Sequence, residues 1–171
     1  VGEVKRVAEI IKLYYGHIRI ISHYDADGIA SASIMTKALL REGKDFHLSL
    51  VKQLNEDIIM RLVGEKSSLI IFLDFGSGQL DKIQNHLVNS DRKIIILDHH
   101  QIQGIIPPEN WDRLLHLNPI NFGIIENVSG AGITYLIARA INPENRDLSE
   151  LAIIGAIGDS QIGSIGGNWG L

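Results

Sequence analysis

The sequence predicts an α/β domain with a mostly parallel sheet flanked by helices. Three observations carry this. Helix-like and strand-like segments alternate along the 171 residues, the pattern of a layered sheet with crossover helices. Two central segments, Leu69 to Leu73 (Leu-Ile-Ile-Phe-Leu) and Ile94 to Leu97 (Ile-Ile-Ile-Leu), are unbroken apolar runs with polar residues at both ends. Strands buried on both faces look like this. Acidic and imidazole residues fall just past three of the apolar runs, where an open parallel sheet gathers its ligands.

Each element follows from its own spacing. Glu3 to Tyr15 sets Val4, Val7, Ile10, Ile11 and Tyr14 on one helical face. Ile18 to Ile21 is a short β-branched run that predicts a buried strand. Gly28 to Arg41, rich in Ala, Ile and Leu, predicts a helix. Phe46 to Val51 reads as a strand and Glu56 to Val63 as a short helix. Gln79 to Val88 has a helical pattern between the two central runs, and Leu114 to Leu117 adds a further strand. Beyond Pro119, Ser129 is placed to cap a helix from Gly130 to Ile141, closed by Asn142-Pro143. Ser149 is placed to cap another that runs to Gly158.

Composition narrows the chemistry. Hydrophobic residues make up 45% and Ile alone occurs 29 times, enough to build a core and to exclude low-complexity disorder. No apolar stretch approaches the roughly 20 residues of a membrane helix. The first apolar run, Val7 to Tyr15, is broken by Glu9 and Lys12, which is not a leader pattern. A soluble, cytoplasmic domain with no membrane partner is expected. With no cysteine, metal chemistry is confined to His and carboxylate ligands, which suit Mg²⁺ and Mn²⁺. The formal net charge is −4. Residues 1–93 hold 13 Lys+Arg against 12 Asp+Glu, and residues 94–171 hold 3 against 8. No basic stripe of the kind that marks nucleic-acid binding is visible.

The chemistry-bearing residues sit at the strand ends. After the first strand come His23, Asp25 and Asp27, within Ser22-His23-Tyr24-Asp25-Ala26-Asp27-Gly28. After Leu69–Leu73 comes Asp74, and after Ile94–Leu97 come Asp98, His99 and His100. Asp159 closes the last helix. Taken singly, each reads as a cap, a turn or a surface residue. Together, converging carboxylates repel one another unless cations neutralise them. Four or five acids with one or two imidazoles can hold two divalent ions, the arrangement that activates water for phosphoryl transfer. The residues alone reach a dinuclear hydrolase of phosphate esters. His17, His47, His86 and His116 lack such surroundings in sequence and read as structural or surface residues.

Four blocks in order resemble the DHH phosphoesterase family, in particular its RecJ-like single-strand exonucleases of the archaeal type. They are His23-Tyr24-Asp25-Ala26-Asp27-Gly28-Ile29-Ala30-Ser31, Phe72-Leu73-Asp74, Leu97-Asp98-His99-His100 and Gly155-Ala156-Ile157-Gly158-Asp159. The resemblance implies an exonuclease that degrades single-stranded DNA or RNA from the 5′ end, using two Mn²⁺ or Mg²⁺ ions and an activated hydroxide attacking phosphorus in line. It implies that Asp25 binds the first ion and Asp27 the second, that Asp74 bridges them, and that His99 and Asp159 complete the second site. His100 would stand beside the substrate phosphate, and Asp98 would support catalysis by orienting a histidine. Replication or repair proteins are implied partners.

Two departures from the family pattern shape further expectations. Pyrophosphatases and small-oligonucleotide hydrolases of the family carry a histidine four residues before the first Asp, where this chain has Ile21. The first metal site is therefore expected to be looser or to use water, with His23 as a secondary candidate ligand. Family members also carry a C-terminal associated domain that is absent from this chain. Residues 1–162 read as the DHH domain and the Gly-rich residues 163–171 as the start of a linker, so a fragment of a longer protein is expected. The start of the 130–141 helix, Ser129 and Gly130, is a candidate to hold a substrate phosphate.

The competing readings are a small-oligonucleotide or cyclic-dinucleotide phosphodiesterase and a non-catalytic replication or repair scaffold of the same fold. A haloacid-dehalogenase-type phosphatase would share Asp25-Ala26-Asp27-Gly28, but it has no use for Asp98-His99-His100 and follows the Gly with Thr, where Ile29 stands.

Overall fold

The computed structural model describes residues 2–88, 91–124 and 128–159. The strands are β1 (Ile18–His23), β2 (Phe46–Val51), β3 (Leu69–Leu73), β4 (Lys93–Leu97) and β5 (Leu114–Leu117). The helices are α1 (Gly2–Leu13), α2 (Ala26–Arg41), α3 (Glu56–Gly64), α4 (Leu80–Leu87), α5 (Gly130–Ile141) and α6 (Ser149–Gly158). All strand pairs are parallel, in the order β2-β1-β3-β4-β5. The α/β reading therefore holds. The expected linker at residues 163–171 lies outside the described residues.

The alternation of side chains along each strand divides the core in two. Leu69, Ile71 and Leu73 join Ile18, Ile20, Ile95 and Leu97 beneath α1, α2 and α5. Ile70 and Phe72 face the other way, with Ile21, Ile94 and Ile96, against α3 and α4. Helix α6 lies outside the first layer, where Ala152 packs with Ala30, Ile34 and Ala131. Both faces of the central strands are covered, which is why they could be uniformly apolar.

Two boundaries differ from expectation for local reasons. Ser149 does not cap α6. Residues Pro143–Leu148 already coil as a 3₁₀ turn that runs straight into the helix, so Ser149 is its first residue and the cap position is Leu148. The helix expected from Gln79 starts at Leu80, after a 3₁₀ turn, Ser77–Gln79, that follows Gly76 at φ 119°. Ser129 does cap α5, its side chain accepting from Gly132 N. Of the histidines set aside, His17 meets Asp45 at 2.7 Å, at the start of β1 and away from the strand ends that carry the acids. No helix among the described residues is long and apolar enough to cross a membrane.

Candidate metal centre

From β1 the chain crosses to β2 on one side, and β3 lies on the other. That makes the β1/β3 boundary the topological switch point, where the loops diverge and leave a crevice. The motifs meet there. His23 closes β1, Asp25 and Asp27 start α2, and Asp74 follows β3.

Asp25 has two duties. Its Oδ1 accepts from Gly28 N at 2.9 Å, capping α2, while its Oδ2 stands 2.7 Å from His23 Nδ1. Burial works against its charge, but the bonds from Gly28 and His23 hold its pKa below the usual carboxylate value. His23 Nε2 lies 3.1 Å from the Lys52 carbonyl. A carbonyl only accepts, so Nε2 carries a proton, and the opposite nitrogen, Nδ1, faces Asp25 and Asp74. An imidazole oriented through its far nitrogen is the usual setting of a metal ligand. Ile21, two residues earlier on the same strand face, is fully buried between the sheet and the α3/α4 layer. His23 therefore occupies the nearest position on that face that reaches the crevice.

Asp74 leaves β3 with φ 62°, the left-handed region that a non-glycine residue seldom adopts. Its backbone N–H donates to Leu97 O at 2.8 Å, and its side chain is 1% exposed with neither oxygen hydrogen-bonded. Burial, then the charges of Asp27 and Asp25, push its pKa up to about 10. His99 Nε2 lies 3.3 Å from Asp74 Oδ1 and 3.7 Å from Asp27 Oδ2, while its Nδ1 lies 3.8 Å from Asp159 Oδ2. Burial raises the pKa of Asp27 as well.

Two triads emerge, His23–Asp25–Asp74 and Asp27–His99–Asp159, each with ligand atoms within 4.8 Å of one another. Both Asp74 oxygens and His99 Nε2 are buried without a hydrogen-bond partner, and buried His23 Nδ1 has only the Asp25 carboxylate beside it. Unpaired buried polar atoms are costly, and divalent cations held by the two triads would satisfy them. The donor set of carboxylates and imidazoles fits Mn²⁺ or Mg²⁺.

Asp27 also fixes the start of α5. Its Oδ2 and Oδ1 accept from Gly130 N at 2.7 Å and Ala131 N at 2.9 Å. The N–H groups at this helix start are thus engaged by the chain's own Asp27, and Ser129, with Gly130 a candidate to hold a substrate phosphate, is fully buried. Two glycines permit the approach. A Cβ on Gly130 would stand 2.7 Å from Asp74 Oδ1, and one on Gly155 would stand 2.5 Å from Asp27 Oδ1.

Asp98 and His100 adjoin the triads, and with Asp74 and His99 they form a third group whose ligand atoms lie within 4.8 Å of one another. Asp98 is fully buried. Its Oδ1 accepts from His99 N, His100 N and His100 Nδ1, and its Oδ2 from Ser77 N. With both oxygens so engaged, it holds the His100 ring and backbone in place. Burial opposes its charge, but the bonds from His100 and Ser77 overcome this and hold its pKa far below the usual value. In return, the bond to Asp98 raises the pKa of His100.

Sequence reasoning missed the support beneath this unit. Asn118, fully buried at the end of β5, donates to the His100 carbonyl at 2.8 Å and to Ser77 Oγ at 2.9 Å. Ser77 Oγ also lies 2.8 Å from His116 Nε2. The available signal was position, since Asn118 follows an apolar strand as Asp74 and Asp98 do.

Known proteins are similar to this chain in sequence and fold. The MJ0831 protein of Methanocaldococcus jannaschii is 41% identical over 164 residues, 92% of this chain and 36% of that protein. The single-stranded-DNA-specific exonuclease RecJ of Thermus thermophilus is 29% identical over 157 residues, 83% of this chain and 22% of that protein. The chain thus spans little more than a third of the first relative and less than a quarter of the second. Among solved structures, an exonuclease RecJ bound to manganese matches with a TM-score of 0.76 at 22% identity, over 92% of this chain and 43% of that one. The DHH family, N-terminal domain, matches residues 17–158. By that match, which takes in both triads but for Asp159, the chain belongs to the DHH family and represents its N-terminal domain.

Proposed function

We propose that this domain is the catalytic half of a Mn²⁺- or Mg²⁺-dependent phosphodiesterase, a RecJ-like exonuclease acting on single-stranded DNA or RNA. The observation that carries the reading is the pair of ligand triads joined through Asp74, whose buried oxygens have no partner in the protein. The likeness to RecJ supports the substrate class.

His23, Asp25 and Asp74 would hold one ion, and Asp27, His99 and Asp159 the other, with Asp74 shared. Bound there, the ions would supply Lewis acidity and a water of lowered pKa. The chain's own groups do the rest. His100, its pKa raised by the bond to Asp98, presents its exposed edge beside the cluster and donates to a phosphoryl oxygen as negative charge develops on it. Asn118 and Ser77 fix the backbone that carries this donor.

Titration of Mn²⁺ by calorimetry into the protein and into Asp74→Ala, followed by assay on 5′-labelled single strands, tests the reading. Two ions per chain, lost in the variant, with release of mononucleotides from single strands, is the expected result. An intact protein that binds no divalent ion overturns the dinuclear mechanism.

A further inference from the structure

His116, which its neighbours in sequence leave without a role, sits on the edge strand β5 between two groups of fixed polarity. On one side, Asn121 Nδ2 lies 3.3 Å from the ring Nδ1, and the same amide nitrogen donates to the His116 carbonyl at 3.4 Å. A carbonyl only accepts, so Asn121 turns its N–H groups to this side and Nδ1 is the bare, accepting nitrogen. Burial keeps the ring neutral, lowering its pKa to about 4. Its single proton therefore sits on Nε2, which faces Ser77 Oγ at 2.8 Å. His116 is the donor of that bond.

The direction of this bond decides the next one. Ser77 Oγ also accepts from Asn118 Nδ2 at 2.9 Å. A hydroxyl has two acceptor lone pairs and one proton. With His116 and Asn118 on the lone pairs, the proton is what Ser77 has left to give. Its acceptor is Asp98, which takes both Ser77 N at 2.8 Å and a bond from the Ser77 side chain. Asp98 then holds the His100 ring through Oδ1 at 2.7 Å. With the opposite tautomer of His116, Ser77 would spend its proton on Nε2. Asp98, fully buried, would lose a donor, and a buried carboxylate short of a donor is costly.

We propose that His116 is a positioning residue for His100: donating from Nε2, it turns the Ser77 hydroxyl toward Asp98 and so fixes the carboxylate that carries the His100 ring. The relay joins β5, the turn after β3 and the loop after β4. Its effect on turnover rests on the function proposed above, whereas the direction of its hydrogen bonds does not.

Two readouts test the relay. Nitrogen NMR of the histidine rings at neutral pH should find the His116 proton on Nε2 and none on Nδ1. The His100 Nδ1 proton should exchange faster with solvent in His116→Phe and in Ser77→Ala than in the wild type. His116→Gln, whose amide N–H groups reach the place of Nε2, should restore slow exchange. With Mn²⁺ and 5′-labelled single strands, His116→Phe and Ser77→Ala should each lose about tenfold in kcat, with KM and Mn²⁺ stoichiometry unchanged, and His116→Gln should recover to within about threefold of the wild type. Both single variants break one link, so the double variant His116→Phe/Ser77→Ala should be no slower than the slower of the two. A His116 proton on Nδ1, His100 exchange that neither variant alters, His116→Gln as slow as His116→Phe, or single losses that multiply in the double variant overturns the role. A protein that shows the NMR pattern but cleaves no ester overturns the proposed function and leaves the positioning of His100 standing.

Discussion

Asp98 Oδ1 accepts from His100 Nδ1 at 2.7 Å while the same oxygen holds the backbone N–H groups of His99 and His100. One buried carboxylate therefore sets the position of the loop and the protonation of the ring it presents. In Asp98→Asn, the amide nitrogen must face one of these donors. Activity is expected to fall about 10–100-fold, the usual cost of removing a partner that orients a site. The alkaline limb of the pH–rate profile should move to lower pH, because His100 loses the bond that raises its pKa. Mn²⁺ stoichiometry should be unchanged.

The unpaired oxygens of Asp74 predict that divalent ions stabilise the fold. Mn²⁺ at a hundredfold excess over its Kd should add about 2.7 kcal/mol per site, seen as a higher melting temperature than in chelator. Asp74→Asn should lose this increment. Without metal the variant should melt no lower than the wild type, since burial beside Asp27 and Asp25 already keeps the Asp74 carboxyl neutral and an amide is neutral too.

His116 predicts an acid-side loss of stability. Burial lowers its pKa to about 4, against roughly 6.5 in an unfolded chain. Between these values the unfolded state binds the extra proton. The contribution is complete above pH 6.5 and is lost as pH falls through 4, about 3 kcal/mol in all at 1.36 kcal/mol per pKa unit. In His116→Gln, denaturant titrations at pH 7 and pH 4.5 should differ by correspondingly less than in the wild type.

Gly155→Ala tests the close approach of α6 to the centre. Its Cβ would meet Ala131 Cβ at 2.4 Å and Asp27 Oδ1 at 2.5 Å, so the helix must shift. A loss of about 1–3 kcal/mol is expected. Mn²⁺ affinity should fall as well, because Asp159 lies four residues further along the same helix end.

The sequence was most legible where side chains had no choice of environment. Phe46–Val51, Leu69–Leu73 and Leu114–Leu117 match the observed strands residue for residue, because polar or charged residues bound each segment sharply. The strand-end rule pointed to Asp25, Asp27, Asp74 and His99, whereas Asp159, at the end of a helix, joined them only through the resemblance to the DHH family. Legibility ended where a partner comes from far along the chain. Asp27 takes the N–H groups of Gly130 and Ala131 from 103 and 104 residues away, so the start of α5 could not be recognised as occupied. His23 was ambiguous because its useful nitrogen is set by the carbonyl of Lys52, on a neighbouring strand's loop. Asn118 carried no local sign that it would meet Ser77 and His100.

The two triads draw on β1, β3, β4 and the end of α6, from His23 to Asp159. No hairpin or single crossover holds a complete set, and parallel strands pair only after long loops have closed. Chelation is therefore a clock for the end of folding. During refolding, a rise in metal occupancy should trail the recovery of helical signal and coincide with burial of the final strand, and a truncated chain that keeps its helices but lacks α6 should leave the Asp27–His99 pair without its third ligand.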